Sequence, residues 1–559
     1  MKTNRVIKIF LASSEELEAD RYRFGNLIRK LDNIYEKRGI RIELFEWEDY
    51  DAAYNGMRKQ DEYNERVRAS DMFLALFHKK AGKFTIEEFN IARKAFDKQA
   101  SPKIYTYIKD LEAGESESRE LAEFKRLMLE ELGHYWCRYS NFDTMQLHFV
   151  LQLQMVEATT PIKVEVKESQ VKIGDSTIAD LNNVPFTSEN ATYKELQSRK
   201  EQLDREIGNA ESGGRRGFFG QRSRTTDEEL ANLREERESV TEQIERQEKA
   251  LVDTAMSIAR MQGGECSPRM RTAAELFEKG EIDKAGAVLK EDDMEADATN
   301  AKLKFDTAAQ PTAELTRNIE RCAGEYMLKA RIVVSGIADE SRYRQAVKLM
   351  STAIDLVSGR LPEETLAEYL FDYAVLLTDV GQQTKALETW ERLSGIYERL
   401  YRKAPQKYAY GYAGVLNNMA VLYSDKGDFD HCLSKYLKAV DIYDRLDREG
   451  PGIYDDDIAR LKNNLGTLYS DRDEYNKALS EFNEAARIRF ELLAKDNDPD
   501  SRSALADIYC NMATALQFSD HPQGALRYIA QAHAILDELD KEFPRIYAVS
   551  YTHLRAHET

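Results

Sequence analysis

The stretch VLNNMAVLYSDKGDFDHCLSKY (residues 415–436) has three relatives in the second half of the chain. They are YLFDYAVLLTDVGQQTKALETW (369–390), RLKNNLGTLYSDRDEYNKALSEF (460–482) and DIYCNMATALQFSDHPQGALRY (507–528). An acidic or amide residue recurs in them at intervals of 46, 46 and 47 residues, as Asp372, Asn418, Asn464 and Asn511. A fixed period of this length indicates stacked structural repeats.

Small residues keep the same register in every copy. They are Ala374, Ala420, Gly466 and Ala513 at one position, and Ala386, Cys432, Ala478 and Ala525 at another. Small side chains let two helices approach closely, so each copy predicts a helix pair. The copies resemble tetratricopeptide repeats with long second helices. The resemblance implies an all-α superhelix over residues 361–545, whose groove binds a protein or peptide partner. Degenerate helical repeats are predicted for residues 263–360.

Composition excludes several classes of function. The net charge of −19 argues against general nucleic-acid binding, which needs a concentrated basic surface. The five cysteines are scattered, with no metal-ligand spacing, so we predict no metal site and a reducing, cytoplasmic environment. No apolar run approaches the roughly 20 residues of a membrane helix, and no membrane association is expected.

The first part of the chain alternates apolar strands with amphipathic helices. RVIKIFLAS (5–13) is a continuous apolar run, as in a strand buried on both faces. The alternation predicts an α/β domain over residues 1–157 with a parallel, doubly wound sheet of flavodoxin-like type. In such sheets, ligands bind outside the carboxyl ends of the strands.

Two connecting segments follow. Alternating Val and Ile around a Gly-Asp turn predict a β-hairpin linker over residues 158–187. Heptad spacing of apolar residues predicts a coiled-coil hairpin over residues 188–262. Its Gly/Arg-rich break, SGGRRGFFGQRSRTT (212–226), is interpreted as a solvated tip, with a partner or nucleotide contact as the alternative.

The last eleven residues, VSYTHLRAHET (549–559), break the helical pattern before them. They match a reading frame of a common transposase sequencing adapter. We therefore expect them to be read-through and leave them out of the fold prediction.

The α/β domain resembles TIR domains, in the divergent bacterial form that is fused to sensor or scaffold modules. The resemblance rests on IFLASSEE (9–16), FEWEDY (45–50), RASDMFLALFHKKAG (68–82) and FTIEEFNIA (84–92). Enzymatic members carry a glutamate at the start of the helix after the third strand, and Glu88 fits that position. The resemblance implies an NAD glycohydrolase that takes NAD as its substrate and needs no cofactor or metal. It also implies self-association through this domain.

The residues suit that chemistry. Loss of nicotinamide from NAD passes through an oxocarbenium-like cation, which a carboxylate such as Glu88 can stabilise. Ser13 and Ser14 precede a helix N-terminus, where backbone N–H groups favour phosphate. Trp47 follows the second strand and offers an aromatic face to a base.

Each of these residues also has a structural interpretation. Thr85 and Glu88 fit the capping box [ST]xxE, and so do Ser13 and Glu16. Trp47 could be a packing residue, and His78 is interpreted as a satisfied surface histidine. Of the adjacent pair, Glu88 rather than Glu87 lies beside the predicted buried face, which is formed by Phe89, Ala92 and Phe96.

Two functions of different class remain open. The first is a TIR-like NAD-cleaving effector of prokaryotic (anti-phage) immunity or stress response, regulated by a tetratricopeptide sensor or scaffold. The second is a non-catalytic adaptor, in which both modules bind proteins and Glu88 is a helix cap.

Overall fold

The computed structural model describes residues 5–36, 39–45, 59–112, 114–131, 136–156, 164–167, 169–173, 176–213, 224–261, 266–336, 340–449, 451–495, 499–519 and 521–542. The chain forms two compact units, Met1–Leu361 and Pro362–Thr559. Residues 549–559, the predicted read-through, lie outside the described residues.

A parallel sheet is the centre of the first unit. Its strands are β1 Arg5–Ser13, β2 Ile40–Phe45, β3 Met72–Phe77, β4 Lys103–Lys109 and β5 Cys137–Tyr139. Their spatial order is β2-β1-β3-β4-β5, and Ser13 at the end of β1 is in register with Leu76 of β3. Every residue of β3 is buried, because helices cover both faces of the sheet. The predicted parallel α/β sheet is confirmed.

Helices pack on both faces of this sheet. They are α1 Glu18–Glu36, α2 Lys59–Ala69, α3 Lys83–Gln99, α4 Arg119–Arg126 and α5 Phe142–Val156. On one face, Phe24 of α1 meets Phe149 of α5 edge to face, with ring centroids 4.7 Å apart. On the other face, Val67 of α2, Phe89 of α3 and Phe124 of α4 share a second core cluster.

A small antiparallel sheet and a helical hairpin follow. The sheet consists of β6 Glu165–Lys167, β7 Gln170–Ile173 and β8 Ser176–Asp180. It therefore has one strand more than the predicted hairpin. After the short helix α6 Pro185–Ser188 come α7 Ala191–Gly213 and α8 Arg224–Met261. Leu203 of α7 packs with Val240 and Ile244 of α8, as the heptad spacing predicts. Most of the basic tip of this hairpin lies outside the described residues.

Further helices complete the first unit. They are α9 Pro268–Glu278, α10 Ile282–Val288, α11 Glu291–Thr307, α12 Ala313–Val334 and α13 Glu340–Val357. Glu325 of α12 is fully buried, and its carboxylate accepts hydrogen bonds from Arg269 at 2.9 Å and Arg321 at 3.4 Å. A buried charge is tolerated because it is paired in this way.

The second unit consists of helix pairs. They are α14 Glu363–Asp379 with α15 Gln383–Lys403, α16 Pro405–Asp425 with α17 Phe429–Glu449, α18 Asp455–Ser470 with α19 Tyr475–Lys495, and α20 Pro499–Phe518 with α21 Pro522–Glu542. The small residues of the repeat lie where paired helices touch. Ala374, Ala420, Ala386 and Cys432 are fully buried. The predicted helical repeat is confirmed, and the unit is a tetratricopeptide-like array.

Both capping boxes predicted from sequence are wrong. α3 begins at Lys83 with Gly82 as its N-cap, and its first bond runs from the Ile86 N–H to the Gly82 carbonyl at 3.0 Å. Thr85 therefore lies inside the first turn, and Glu88 lies beyond it. At the other site, a 3₁₀ turn over Glu15–Leu17 precedes α1, and the Glu16 side chain bonds elsewhere.

One residue of the predicted buried face of α3 also differs. Phe89 and Ala92 are buried, but Phe96 is 44% exposed. Phe96 lies in the last turn of the helix, before Ala100 ends it in a left-handed conformation. Periodicity fixes the direction of a side chain around the helix, whereas the reach of its neighbours along the helix decides whether it is covered.

Candidate functional site

The segments that follow β1 and β3 lie next to each other at the carboxyl ends of these two central strands. These strands are adjacent, and their connections lead to opposite sides of the sheet, to β2 and to β4. This divergence opens a crevice at the carboxyl ends of the strands. Ser13 and Ser14 lie there after β1, and His78, Lys79 and Lys80 lie there after β3.

Arg21 organises the end of β1. Its guanidinium is 2% exposed, and Nη1 donates to Ser13 Oγ at 2.8 Å and to the Ser14 carbonyl at 2.9 Å. The Ser13 hydroxyl therefore accepts from an arginine and not from a helix amide. A buried positive charge thus lies directly beneath the carboxyl end of β1.

A second buried charge lies beside it on α1. Asp20 is 4% exposed; it pairs with Lys109 Nζ at 2.9 Å and accepts from the Tyr139 hydroxyl at 3.0 Å. Burial and the nearby Asp20 carboxylate raise the pKa of Tyr139. Lys109 ends β4 and Tyr139 ends β5, so Asp20 ties two strand ends to one helix.

Asp20 and Arg21 are not among the site residues predicted from the sequence, although the sequence contains a signal for them. Asp20 precedes Phe24 by four residues and Leu27 by seven, and Arg21 precedes Phe24 by three. This spacing places both charged residues on the buried stripe of α1. A charged residue in register with an apolar stripe is a reason to expect a buried ion pair.

Glu16 joins the segments that follow β1 and β3. Its Oε1 accepts from the backbone N–H of Lys79 at 3.0 Å and of Lys80 at 3.2 Å. The Ser14 hydroxyl donates to the same oxygen at 3.3 Å. Two consecutive amides that converge on one oxygen form a small anion-binding concavity, which here holds a carboxylate of the same chain.

The side chains after β3 are held from the α4 side. Glu115 lies 3.4 Å from His78 Nε2 and pairs with Lys79 Nζ. The hydrogen bond from Lys79 lowers the pKa of Glu115. His78 is only 13% exposed in its side chain, so it lies deeper than a surface histidine.

Glu88 is a buried carboxylate on α3. It is 8% exposed and shares the buried face of the helix with Thr85, Ala92 and Ala95. This face packs against α2 and the central strands. Glu87, its neighbour, is half-buried and accepts from Asn64 Nδ2 at 3.2 Å. Of the predicted site residues, the structure places Ser13 and Ser14 at the crevice and Glu88 on the adjoining helix. Trp47 lies outside the described residues.

The repeats carry a second candidate surface. Asp372, Asn418, Asn464 and Asn511 are all half-buried on the first helix of their pairs. Asn511 Nδ2 donates to Asn463 Oδ1 of the preceding pair at 3.1 Å, so the first helices of the third and fourth pairs meet through amides. Apolar side chains lie close to this row, with Phe371 37% and Val421 39% exposed.

The described residues contain no group of three or more His, Cys, Asp or Glu side chains arranged to hold a metal ion. Among them, too, no helix is both long and apolar enough to cross a membrane. All five cysteines are free thiols.

No protein-family model matches the chain, and no curated protein matches its sequence. Several solved structures are similar at low identity. BtubC (BKLC) from P. vanneervenii is 20% identical with a TM-score of 0.34, over 44% of this chain and 92% of that one. The apo form of RapI is 16% identical with a TM-score of 0.35, over 61% and 77% of the two chains.

A third similar structure is a signal transduction ATPase with numerous domains from Pyrococcus horikoshii, which carries a tetratricopeptide repeat sensor. It is 12% identical with a TM-score of 0.30, over 97% of this chain and 96% of that one. Likenesses at this level carry no argument about function, and the repeat assignment rests on the helix pairs themselves.

Proposed function

We propose that this chain is a TIR-like effector that hydrolyses the nicotinamide–ribose bond of NAD under the control of its tetratricopeptide-like array. NAD is the substrate, and no cofactor takes part. The observation that carries the proposal is the burial of Glu88, which is 8% exposed on a helix whose N-cap is Gly82. A carboxylate is costly to bury, and Glu88 does not form the predicted capping box with Thr85.

The chemistry assigned to Glu88 is electrostatic. As the nicotinamide leaves, positive charge develops on the ribose, and a carboxylate beside it stabilises that charge. Burial strengthens the interaction, because the surroundings screen it less than water does. Nicotinamide is a good leaving group, so a single carboxylate suffices and a second acid is not required.

The sheet supports the same proposal. Its order, β2-β1-β3-β4-β5, is the order of flavodoxin-like sheets, in which ligands bind at the switch point between β1 and β3. Ser13 and Ser14 lie at that point, and Arg21 beneath them supplies positive charge. An anionic dinucleotide matches this charge.

The array is proposed to bind the regulatory partner. Amide side chains both donate and accept hydrogen bonds, so Asn418, Asn464 and Asn511 can pair with the backbone of an extended peptide. The exposed Phe371 and Val421 beside them would take apolar side chains. We place the protein in the cytoplasm, as a homo-oligomer joined through the α/β domain, acting in prokaryotic immunity or stress response.

The alternative function is a non-catalytic adaptor. The observation that favours it is the exposure of two aromatic side chains of α3, Phe84 at 56% and Phe96 at 44%. Exposed aromatic side chains suit a protein contact. In the effector, the same surface would serve self-association.

Release of nicotinamide from NAD by the purified full chain tests the proposal. We expect release by wild type and a loss of at least a hundredfold in Glu88→Gln. Glu87→Gln is the matched control, since it removes the neighbouring carboxylate, which bonds to Asn64. Its rate should stay within a few-fold of wild type. Equal rates in wild type and Glu88→Gln, or no release when the chains are clustered by a fused dimerising tag, would establish the adaptor instead.

A further inference from the structure

The position of Glu16 supports a second proposal, which concerns ligand binding and not the reaction proposed above. Its carboxylate occupies two backbone amides at the crevice between β1 and β3, where a doubly wound sheet binds its ligand. A charge-assisted bond to two consecutive N–H groups is also how proteins hold phosphate oxygens. A carboxylate of the chain therefore stands where an anionic ligand would be held.

One of the two amides, the Lys80 N–H, is held in place from its other side. The carbonyl of Lys79 accepts from the Ser118 N–H at 2.7 Å, and Ser118 caps α4 through its own side chain. This carbonyl and the Lys80 N–H belong to one planar trans peptide and point in opposite directions. Ser118 thus orients the Lys80 N–H toward Glu16, and this donor stays oriented whether or not the carboxylate is present.

The carboxylate, by contrast, is easily displaced. Glu16 is exposed and follows β1 in a single 3₁₀ turn, and one oxygen, Oε1, makes all three hydrogen bonds. Exposed charges gain little from pairing, because water screens them. Lys80 and Lys83 are exposed nearby and would attract an incoming anion.

We propose that the backbone amides of Lys79 and Lys80 form a binding site for a diphosphate group, and that Glu16 is a built-in competitor which must leave before that group binds. The inference rests on the proposed function only in that NAD would be the natural source of the diphosphate. The site itself requires an anion and no reaction. Glu16 then sets a threshold, since ligand binds only at concentrations that outcompete a tethered carboxylate.

Binding to the full chain tests this, with inorganic pyrophosphate and ADP-ribose as probes. Isothermal titration measures the dissociation constant for wild type, Glu16→Ala and Glu18→Ala. Glu18 is an exposed carboxylate two residues away, which begins α1. It controls for the loss of one negative charge. Labelling with ¹⁵N-lysine reports on both amides directly, and Lys79→Arg and Lys80→Arg identify their signals.

We expect Glu16→Ala to bind ADP-ribose at least threefold more tightly than wild type, with saturable shifts of the Lys79 and Lys80 amide signals. Glu18→Ala should bind within twofold of wild type. Tighter binding of pyrophosphate as well means that the site recognises the diphosphate alone, whereas tighter binding of ADP-ribose only means that it requires the nucleotide. Unchanged affinity in Glu16→Ala, equal gains in both variants, or no shift at the two lysine amides would overturn the proposal.

The two proposals fail separately. If wild type releases no nicotinamide, or no more than Glu88→Gln, while Glu16→Ala tightens ADP-ribose binding, the reaction assigned to Glu88 is wrong and the anion site stands. If release depends on Glu88 and Glu16→Ala leaves both affinities unchanged, the anion site is wrong and the reaction stands.

Discussion

Gly466 of α18 lies against the ring of Phe482 in α19, so close that a Cβ atom on the glycine would stand 2.5 Å from two ring carbons. The other three repeats have alanine at this position, as Ala374, Ala420 and Ala513. Phe482 is 1% exposed and belongs to a core cluster with Ala478 and Met512. The glycine of the third helix pair therefore lets the ring of Phe482 pack more closely against α18 than an alanine would allow.

Gly466→Ala is expected to destabilise the array by about 1–3 kcal/mol, because the new methyl group overpacks the contact with Phe482. Gly466→Ala combined with Phe482→Leu should recover part of the loss, since the smaller side chain makes room. Urea unfolding of the full chain, followed by hydrogen exchange in α18 and α19, measures both. If Gly466→Ala leaves the free energy of unfolding unchanged, then the two helices can shift to accommodate the methyl group.

Two glycines of the second helix pair are predicted to have opposite effects on stability when each is replaced by alanine. Gly427 follows α16 at φ 71°, a left-handed conformation, and its absent side chain would meet open space. Gly427→Ala should cost about 1 kcal/mol through backbone strain alone. Gly414 lies within α16, also beside open space. Gly414→Ala should stabilise by up to about 1 kcal/mol, because alanine favours the helix. Thermal unfolding of the two variants checks the signs, and shifts of the same sign would refute the assignment.

The pH dependence of stability is predicted to involve Glu278 at the end of α9. It lines a cavity of about 40 Å³ with Cys137, His148 and Phe277, and burial raises its carboxyl pKa from 4.5 to about 7. The unfolded chain loses this proton near pH 4.5, whereas the folded chain keeps it until about pH 7. The free energy of unfolding therefore falls as the pH rises through this window and stays lowered above it.

Glu278→Gln removes that penalty, so it should stabilise the first unit at pH 8 by about 1–3 kcal/mol and leave stability at pH 4 unchanged. Glu275→Gln, an exposed neighbour on the same helix, is the control and should retain most of the wild-type pH dependence. Denaturant unfolding at both pH values tests this. A gain of equal size at pH 4 and pH 8 would contradict the titration of Glu278.

Gln152 is predicted to matter for the attachment of the helical hairpin. Its Nε2 donates to the Ala259 carbonyl at 2.8 Å, and both residues are buried. Ala259 lies in the last turn of α8, where carbonyls have no partner within the helix. Gln152→Met keeps the shape and removes the donor, so it should cost about 1–3 kcal/mol.

Gln146→Met is the matched control for Gln152. Gln146 lies on the same helix, is half-buried and donates to Asp143 Oδ1 at 3.3 Å. Its replacement should change stability by less than about 0.5 kcal/mol. Similar losses in the two variants, measured by chemical unfolding, would show that the bond to Ala259 has no special weight.

The sequence predicts those features that depend on local pattern. The apolar run of β3 identifies a strand covered on both faces, and the 46-residue interval from Asn418 to Asn464 identifies a helix pair. Both depend on residues within one element or one period. Repeats give regular sequence patterns, because equivalent positions are buried in the same way in every copy.

The candidate site depended on contacts between distant residues. Asp20 bonds to Tyr139 across 119 residues, and Glu16 bonds to Lys79 across 63. The capping box predicted at Thr85 and Glu88 is wrong because it was inferred from local sequence alone. A local motif fits, but the helix gains an earlier turn from Gly82 onward. Which of two plausible partners a carboxylate takes is decided by the tertiary fold.

The peptide group between Lys79 and Lys80 has one end on α4 and the other on Glu16. Because a peptide plane turns as one body, tilting α4 would swing the Lys80 N–H away from the crevice. A movement of this short helix would therefore change the orientation of a hydrogen-bond donor at the carboxyl ends of the strands. Control of this edge thus needs no movement of the sheet itself.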